Sequence, residues 1–259
     1  MDTDAKRLSQ ERFGKYAASY VTSRTHSGGP DLERIVELVG EKPDWEALDI
    51  ATGAGHTALA VAPQVAHVMV TDLTEEMLAT AREFLAGQGA HNVDFQLADA
   101  EELPFTDASF DLVTCRIAPH HFPRPERFVS EVARVLRPGG LFLLQDQVVP
   151  EDESAAAYIT VFERRRDPSH VRALSEPEWK GLLVGAGLVI ETVDDFEKHL
   201  SLLKWVDDQG GTAEELVDLR AMLSQAPAAV REWWRPSDID GPEAAFFNHH
   251  CLFGARRPG

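Results

Sequence analysis

Residues 48–58 read Leu48-Asp49-Ile50-Ala51-Thr52-Gly53-Ala54-Gly55-His56-Thr57-Ala58, and the reading of this stretch decides the fold. Ala47–Ala51 is a short apolar run of strand type, and Thr57–Pro63 has helical periodicity, so both glycines fall on a strand-to-helix turn. Without Cβ atoms, Gly53 and Gly55 let the backbone turn sharply and bring its N–H groups close to a ligand. The following units alternate in the same way. His67–Thr71, Val93–Ala98, Phe110–Arg116 and Leu141–Gln147 read as strands, and Thr74–Ala86 and Arg124–Leu136 as helices. Thr74 is a natural N-cap, with Glu75 and Glu76 in the first turn where the helix dipole favours negative charge. Arg137-Pro138-Gly139-Gly140 stops the last helix and turns the chain into the next strand. Strands alternating with helices predict an α/β fold with a parallel sheet covered on both faces.

Outward from this core the texture is less regular. From Ser9 to Val21 the residues Phe13, Tyr16, Ala17, Tyr20 and Val21 recur at helical spacing. Ser27-Gly28-Gly29-Pro30 breaks that helix from a second one, with Leu32, Ile35, Val36 and Val39 inward. Glu151–Arg166 reads as a helix that Asp167-Pro168-Ser169-His170 ends. Ser175 and Glu178 form a capping box, opening a helix that stops at Gly185-Ala186-Gly187. Val189–Leu200 and Ala244–Arg256 are strand candidates, with roughly three short helices between them. The expected organisation is a helical lid over residues 1–40, a cofactor-binding core over 41–150, and a C-terminal half of the same domain over 151–259. An insertion at about 201–235 is the candidate cover for a substrate.

Composition narrows the function. Forty-three acidic against twenty-five basic residues give a formal charge of −18. No concentrated basic face is visible, which argues against nucleic acid as a partner. No apolar run approaches the roughly eighteen residues of a membrane span, and the acidic start has no leader-like stretch. The expectation is a soluble cytoplasmic protein. Cys115 and Cys251 are far apart and form no Cys-x-x-Cys pattern, which speaks for reduced thiols and against a structural zinc site. His249-His250-Cys251 is a weak metal candidate, because neighbours on a strand point to opposite faces.

Gly53-x-Gly55-x-x-Ala58, with Asp72 nineteen residues after Gly53, also fits a dinucleotide fingerprint and hence an NAD-dependent oxidoreductase. Two carboxylates tilt the reading. Asp49, four residues before Gly53, is placed to reach round the turn toward a cation; a sulfonium with an amino-acid tail offers one, whereas a pyrophosphate would be repelled. Asp99, followed by Ala100-Glu101-Glu102-Leu103-Pro104-Phe105, can accept from the exocyclic amine of adenine, with apolar neighbours covering the ring. Three acids at the carboxyl ends of three successive strands suit a ligand with ammonium, ribose and adenine parts. The alternative is that these acids merely cap helices.

With Asp49-x-x-x-Gly53-x-Gly55, Asp72, Asp99-Ala100 and Leu136-Arg137-Pro138-Gly139-Gly140 in place, the chain resembles the class I S-adenosylmethionine-dependent methyltransferases over about Trp45–Val149. Within them it is similar to the branch of the ubiquinone/menaquinone C-methyltransferases. Ser23-Arg24-Thr25-His26, Ala118-Pro119-His120-His121-Phe122 and Arg166-Asp167-Pro168-Ser169-His170-Val171 carry a narrower resemblance to bacterial members of that branch. The resemblance implies a Rossmann-like fold of seven strands whose last strand is antiparallel. It implies S-adenosyl-L-methionine as cofactor, with Gly53 and Gly55 at the methionine part, Asp72 on the ribose and Asp99 on the adenine amine. Arg116 would border the methionine end through its backbone, and Tyr20, Ala51, Thr52, His56, Leu73, Met77 and Ala100 complete the expected lining. Quinone-modifying members usually carry an Arg-Asn pair after the fourth strand, where this chain has Pro119-His120-His121-Phe122, a departure that speaks against a quinone acceptor.

Methyl transfer asks for orientation and exclusion of water, and for a base only when the acceptor loses a proton. His120 and His121 follow the fourth strand near the expected methyl position and are the catalytic candidates; packing under the cofactor is the bland alternative. Tyr16 and Tyr20 are candidates for a lid, or for simple core packing. Arg166, His170 and Arg172 could line a pocket for an anionic acceptor, whereas Arg164 and Arg165 read as a charged helix end. Trp205, Trp233 and Trp234 could wall off an acceptor or form a homodimer contact. The expected function is C- or O-methylation of a small-molecule acceptor; a non-catalytic S-adenosylmethionine-binding module is the alternative.

Overall fold

The computed structural model describes residues 2–21, 27–208 and 210–259, with the side chains of residues 2, 3 and 19 left aside. Ser23-Arg24-Thr25-His26 therefore lie outside the described residues. Among those described, seven strands form one sheet: β1 (Lys42–Ile50), β2 (Val65–Asp72), β3 (Val93–Leu97), β4 (Phe110–Arg116), β5 (Leu136–Gln147), β6 (Val189–Ser201) and β7 (Ala245–Arg256). Their order is β3-β2-β1-β4-β5-β7-β6. The first five run parallel, and β7 inserts antiparallel between β5 and β6. This is the α/β Rossmann-like arrangement with an antiparallel last strand. Strand order reverses between β1 and β4, and open α/β sheets bind ligands outside the carboxyl ends at such a switch point.

The helices are α1 (Asp2–Val21), α2 (Pro30–Val39), α3 (His56–Val61), α4 (Glu75–Gly87), α5 (Pro125–Val135), α6 (Glu153–Arg166), α7 (Glu176–Gly185), α8 (Leu202–Asp207), α9 (Ala213–Ser224) and α10 (Ala228–Trp234). Helical spacing decides which faces turn in. Phe128, Val129, Val132 and Val135 form the buried stripe of α5, and Met77, Leu78, Ala81 and Leu85 that of α4. Strand residues alternate between two cores: Leu48 and Ile50 face α5 and α7, whereas Ala47 faces α2, α3 and α4. No helix among the described residues is long and apolar enough to cross a membrane.

A third core joins α6 to the insertion. Phe162, Leu202, Val206, Leu219, Leu223, Val230, Trp234 and Phe246 are all buried there. Trp205 stacks on Phe162 at 5.4 Å between ring centroids, so Trp205 and Trp234 hold the insertion together instead of walling a ligand site. The capping box at Ser175 and Glu178 is present, and Thr212 with Glu215 forms another on α9. Thr74 is the N-cap of α4, but its side chain makes no cap bond; Asp72 accepts its backbone N–H instead, at 3.0 Å.

Two strand starts shift by several residues from expectation. Strand β5 starts at Leu136, not Leu141, because Leu136 pairs with Phe110 and the Pro138-Gly139-Gly140 bend is tied to Arg257. Strand β1 starts at Lys42, pairing with Val65 ahead of a bulge.

Candidate active site

A cleft enclosing about 950 Å³ of empty space, part of it open to solvent, lies at the carboxyl edge of the sheet. Of the residues expected from sequence, Tyr20, Ala51, Thr52, Gly53, His56, Asp72, Leu73, Met77, Asp99, Ala100, Arg116 and His121 line it. Both rims are backbone outliers: Ala51 (φ 53°) leaves β1 and Ile117 (φ 53°) leaves β4 in the left-handed region. That conformation is costly for a β-branched residue and marks positions held by the surrounding fold.

Gly53 has φ 56°, and its N–H donates to Asp72 Oδ2 at 3.0 Å. Asp72 Oδ1 takes the N–H of Thr74 at 3.0 Å, so the carboxylate is fixed at the end of β2 with lone pairs to spare. Burial pushes the Asp72 carboxyl up to about 6 despite these N–H donors. Asp99 lies just past β3, its Oδ1 accepting from Glu101 N at 2.9 Å. Its Oδ2 is met by Lys6 of α1, which also reaches Glu101, both at 2.6 Å.

Three expected residues do not line the cleft. Asp49 lies beneath the turn, where its oxygens accept from the hydroxyls of Thr52 at 2.6 Å and Thr114 at 2.7 Å. It braces the turn from below and does not reach round it; burial raises its carboxyl to about 6. Gly55 packs α3 on α4, since a Cβ there would lie 3.2 Å from Leu85. His120 sits behind His121, its Nδ1 2.7 Å from Asp146 Oδ1 and its backbone N–H donating to Asp146 Oδ2 at 2.8 Å.

The two histidines have opposite electrostatics. Burial alone would lower the His120 pKa, but the charge and hydrogen bond of Asp146 outweigh it and raise it. His121 is lowered to about 3, first by burial and then by the charge of His120. Its Nδ1 lies 3.0 Å from the carbonyl oxygen of Ser169. A carbonyl only accepts, so Nδ1 carries the proton and Nε2 keeps its lone pair.

Segments quoted separately from the sequence meet here. The carbonyl of His120 accepts from Val171 N and Arg172 N at 2.9 and 3.1 Å, and the rings of His120 and His170 stack at 5.2 Å. Arg12 of α1 pairs with Asp167 at 3.0 Å, and Phe13 meets His121 edge-on at 4.9 Å. Arg166 packs over Trp205, and Arg172 pairs with Glu178 at the surface. Tyr16 lies against Gly210 and away from the cleft, and Trp233 stacks beside His249.

Sequence reasoning missed Asp31, Asp146, Lys198 and Lys6. Asp31 is fully buried, and its Oδ2 receives Arg116 Nε at 2.9 Å and Lys198 Nζ at 3.3 Å. Arg116 thus turns its side chain away into the protein. On the other sheet face, Cys251 Sγ lies 2.9 Å from Asp195 Oδ1, and with Glu176 their donor atoms fall within 4.8 Å of one another. His249 and His250 are not part of that trio.

The fold and cleft together define a class: a Rossmann-like protein with an acidic, nucleoside-sized site at the carboxyl edge of β1, β2 and β3. A methyltransferase-domain family model matches residues 48–144. An uncharacterized methyltransferase of Bacillus subtilis, YcgJ, is 36% identical, over 85% of this chain and 87% of that one. A solved chain from Bacillus halodurans is 38% identical, with a TM-score of 0.85, covering 89% of this chain and all of that one. The ubiquinone/menaquinone biosynthesis C-methyltransferase UbiE of Brucella anthropi is 41% identical over 55% of this chain and 58% of its own length. The chain belongs to the methyltransferase family, as an enzyme that uses S-adenosylmethionine as methyl donor.

The residues present fit that donor. Gly53 holds a left-handed turn with nothing within 4 Å of where a Cβ would stand. Ser9 Oγ is buried at the cleft without a hydrogen-bond partner. Asp72 and Asp99 supply acceptor oxygens at the ends of neighbouring strands, between the apolar side chains of Leu73, Met77, Ala98 and Ala100.

Proposed function

We propose that the enzyme methylates carbon or oxygen of a small organic acceptor, with His121 receiving the acceptor's proton. The observation that carries this is the His121 ring itself. It lines the cleft with Nδ1 committed to the Ser169 carbonyl, which leaves Nε2 as the acceptor. In the same reading Asp72 holds the ribose hydroxyls, Asp99 the adenine amine, and the Gly53 turn the amino-acid end. Bound S-adenosylmethionine supplies an electrophilic methyl group on a sulfonium. The protein orients the acceptor and keeps water out, and α1, whose Lys6, Ser9 and Phe13 line the cleft, acts as cover. Asp146 acts through His120, whose pKa it raises, and the charge of His120 together with burial lowers that of His121.

Titration calorimetry with S-adenosylhomocysteine tests the cofactor site, and binding at submillimolar concentration is expected. An acceptor screen read by S-adenosylhomocysteine release then tests the reaction. With a substrate found, His121→Phe should lower kcat by about a hundredfold or more while S-adenosylhomocysteine affinity holds. An unchanged kcat would remove His121 from the chemistry.

A further inference from the structure

The turn Asp167-Pro168-Ser169-His170 lies against His121 and bears on which ring nitrogen carries the proton. Ser169 meets His121 Nδ1 twice, with its carbonyl oxygen at 3.0 Å and its hydroxyl oxygen at 3.3 Å. The carbonyl only accepts, whereas a hydroxyl can accept or donate. If Ser169 Oγ donated its hydrogen to Nδ1, that nitrogen would keep the lone pair and Nε2 would hold the proton. His121 would then face an acceptor as a donor, not as a base.

Asp167 removes that choice. Its Oδ1 accepts the Ser169 hydroxyl at 2.5 Å and the Ser169 N–H at 2.9 Å. A hydroxyl has one hydrogen, so once it points to Asp167 only its lone pairs face His121. Both Ser169 oxygens near Nδ1 then ask for a donor. The carboxylate is itself held in place. Asp167 and Ser169 are buried, and Arg12 Nε of α1 lies 3.0 Å from the same Asp167 Oδ1. Arg12 is tied in turn to the Arg166 carbonyl at 2.9 Å. Asp167 and Ser169 do not line the cleft, so their effect on an acceptor passes through the His121 ring.

We propose that Asp167 is a positioning residue that sets the tautomer of His121. By claiming the Ser169 hydroxyl hydrogen, it obliges Nδ1 to carry the ring proton and keeps the Nε2 lone pair for the acceptor. The inference rests on the reading of His121 as the group that receives the acceptor's proton, and adds to it the residue that holds the ring ready. Arg12 gives the arrangement a link to α1, because the helix that lines the cleft also steadies the carboxylate behind the base.

The test reads the imidazole nitrogen NMR shifts of His121 in the ligand-free protein at neutral pH, with the signals assigned by their loss in His121→Phe. Wild type should show one neutral ring, protonated at Nδ1. Asp167→Ala frees the hydroxyl to turn, and the Nε2–H population should rise by about fivefold or more, the scale of one neutral hydrogen bond. In the double variant Asp167→Ala/Ser169→Ala the hydroxyl is gone while the carbonyl remains, so the ring should return to Nδ1–H. A merely structural role for Asp167 predicts no such rescue. Melting curves establish folding, and Asp167→Asn, which holds the hydroxyl more weakly than a carboxylate does, takes the place of an unfolded alanine variant and should shift the ring in the same direction. A folded Asp167 variant with the wild-type tautomer, a double variant that does not recover it, or a wild-type ring protonated at Nε2 would overturn the proposal. An undiminished kcat in His121→Phe would instead count against His121 as the base and leave the tautomer result standing.

Discussion

Asp72 ties the glycine turn to the next strand, and its carboxyl has a consequence that can be measured. Burial raises it to about 6, so the folded chain keeps a proton that an unfolded aspartate would release near its ordinary value. Between those two values the folded state binds more protons, and this group's share of stability falls as pH rises, levelling off above about 6. Only the ionised form offers both oxygens to a ribose. Affinity for S-adenosylhomocysteine should therefore climb from pH 5 to pH 7. Asp72→Asn should flatten that climb and weaken binding at pH 7.5 by roughly tenfold to a hundredfold, the scale of a hydrogen bond to a charged group. A wild-type affinity independent of pH would show that Asp72 is not the ribose ligand. Asp72, Asp99 and His121 were legible in the sequence because each sits at a strand end fixed by the glycine turn or by the helix-strand alternation. Asp31, Lys198 and Asp146 were not. Each lies in a segment where a polar residue reads as solvent-facing, and their burial follows from pairing across the fold: Arg116 to Asp31 spans 85 residues, and Lys198 to Asp31 spans 167.

At the scale of elements, α1 lines one side of the cleft with Lys6, Ser9 and Phe13 and is the cover proposed for it. It is fastened at several points: Lys6 on Asp99 and Glu101, Gln10 on the Leu73 carbonyl at 3.2 Å, Arg12 on the Arg166 carbonyl at 2.9 Å, and Phe13 on His121. The Lys6 ammonium rests on the carboxylate proposed for the adenine amine, so lid and nucleoside compete for one set of lone pairs. Lys6→Met should tighten S-adenosylhomocysteine binding by about twofold to fivefold, in line with a partly exposed ion pair. Weaker binding would mean that Lys6 steadies the bound nucleoside. The lid's extent shows where sequence reading stops. Apolar spacing begins at Ser9, but α1 starts at Asp2, its first turns held by Lys6 and by the Arg7–Glu11 pair at 2.7 Å. Such polar ties leave no apolar period. Strand β5 repeats the lesson, because the Pro-Gly-Gly bend that reads as a turn is drawn into the ladder by Arg257.

For the molecule as a whole, the parallel half of the sheet followed from alternating strand and helix patterns, whereas the antiparallel placement of β7 came from resemblance alone. Periodicity identifies a strand but carries no direction, and β7 gains its place only by lying between two strands far from it in the chain. That placement sets an order on biosynthesis. As the chain emerges from the ribosome, β5 presents an unpaired apolar edge for about a hundred residues of further translation, and β6 appears before anything can join it to the sheet. The methyl-donor half can thus be assembled early yet remain exposed to chaperones and to neighbouring chains until β7 is released. A nascent chain stalled before Ala245 should bind holdase chaperones and be cut readily by protease, and one extended past Arg256 should resist both. Equal protease resistance in the two would show that the β5 edge is covered by something other than the last strand.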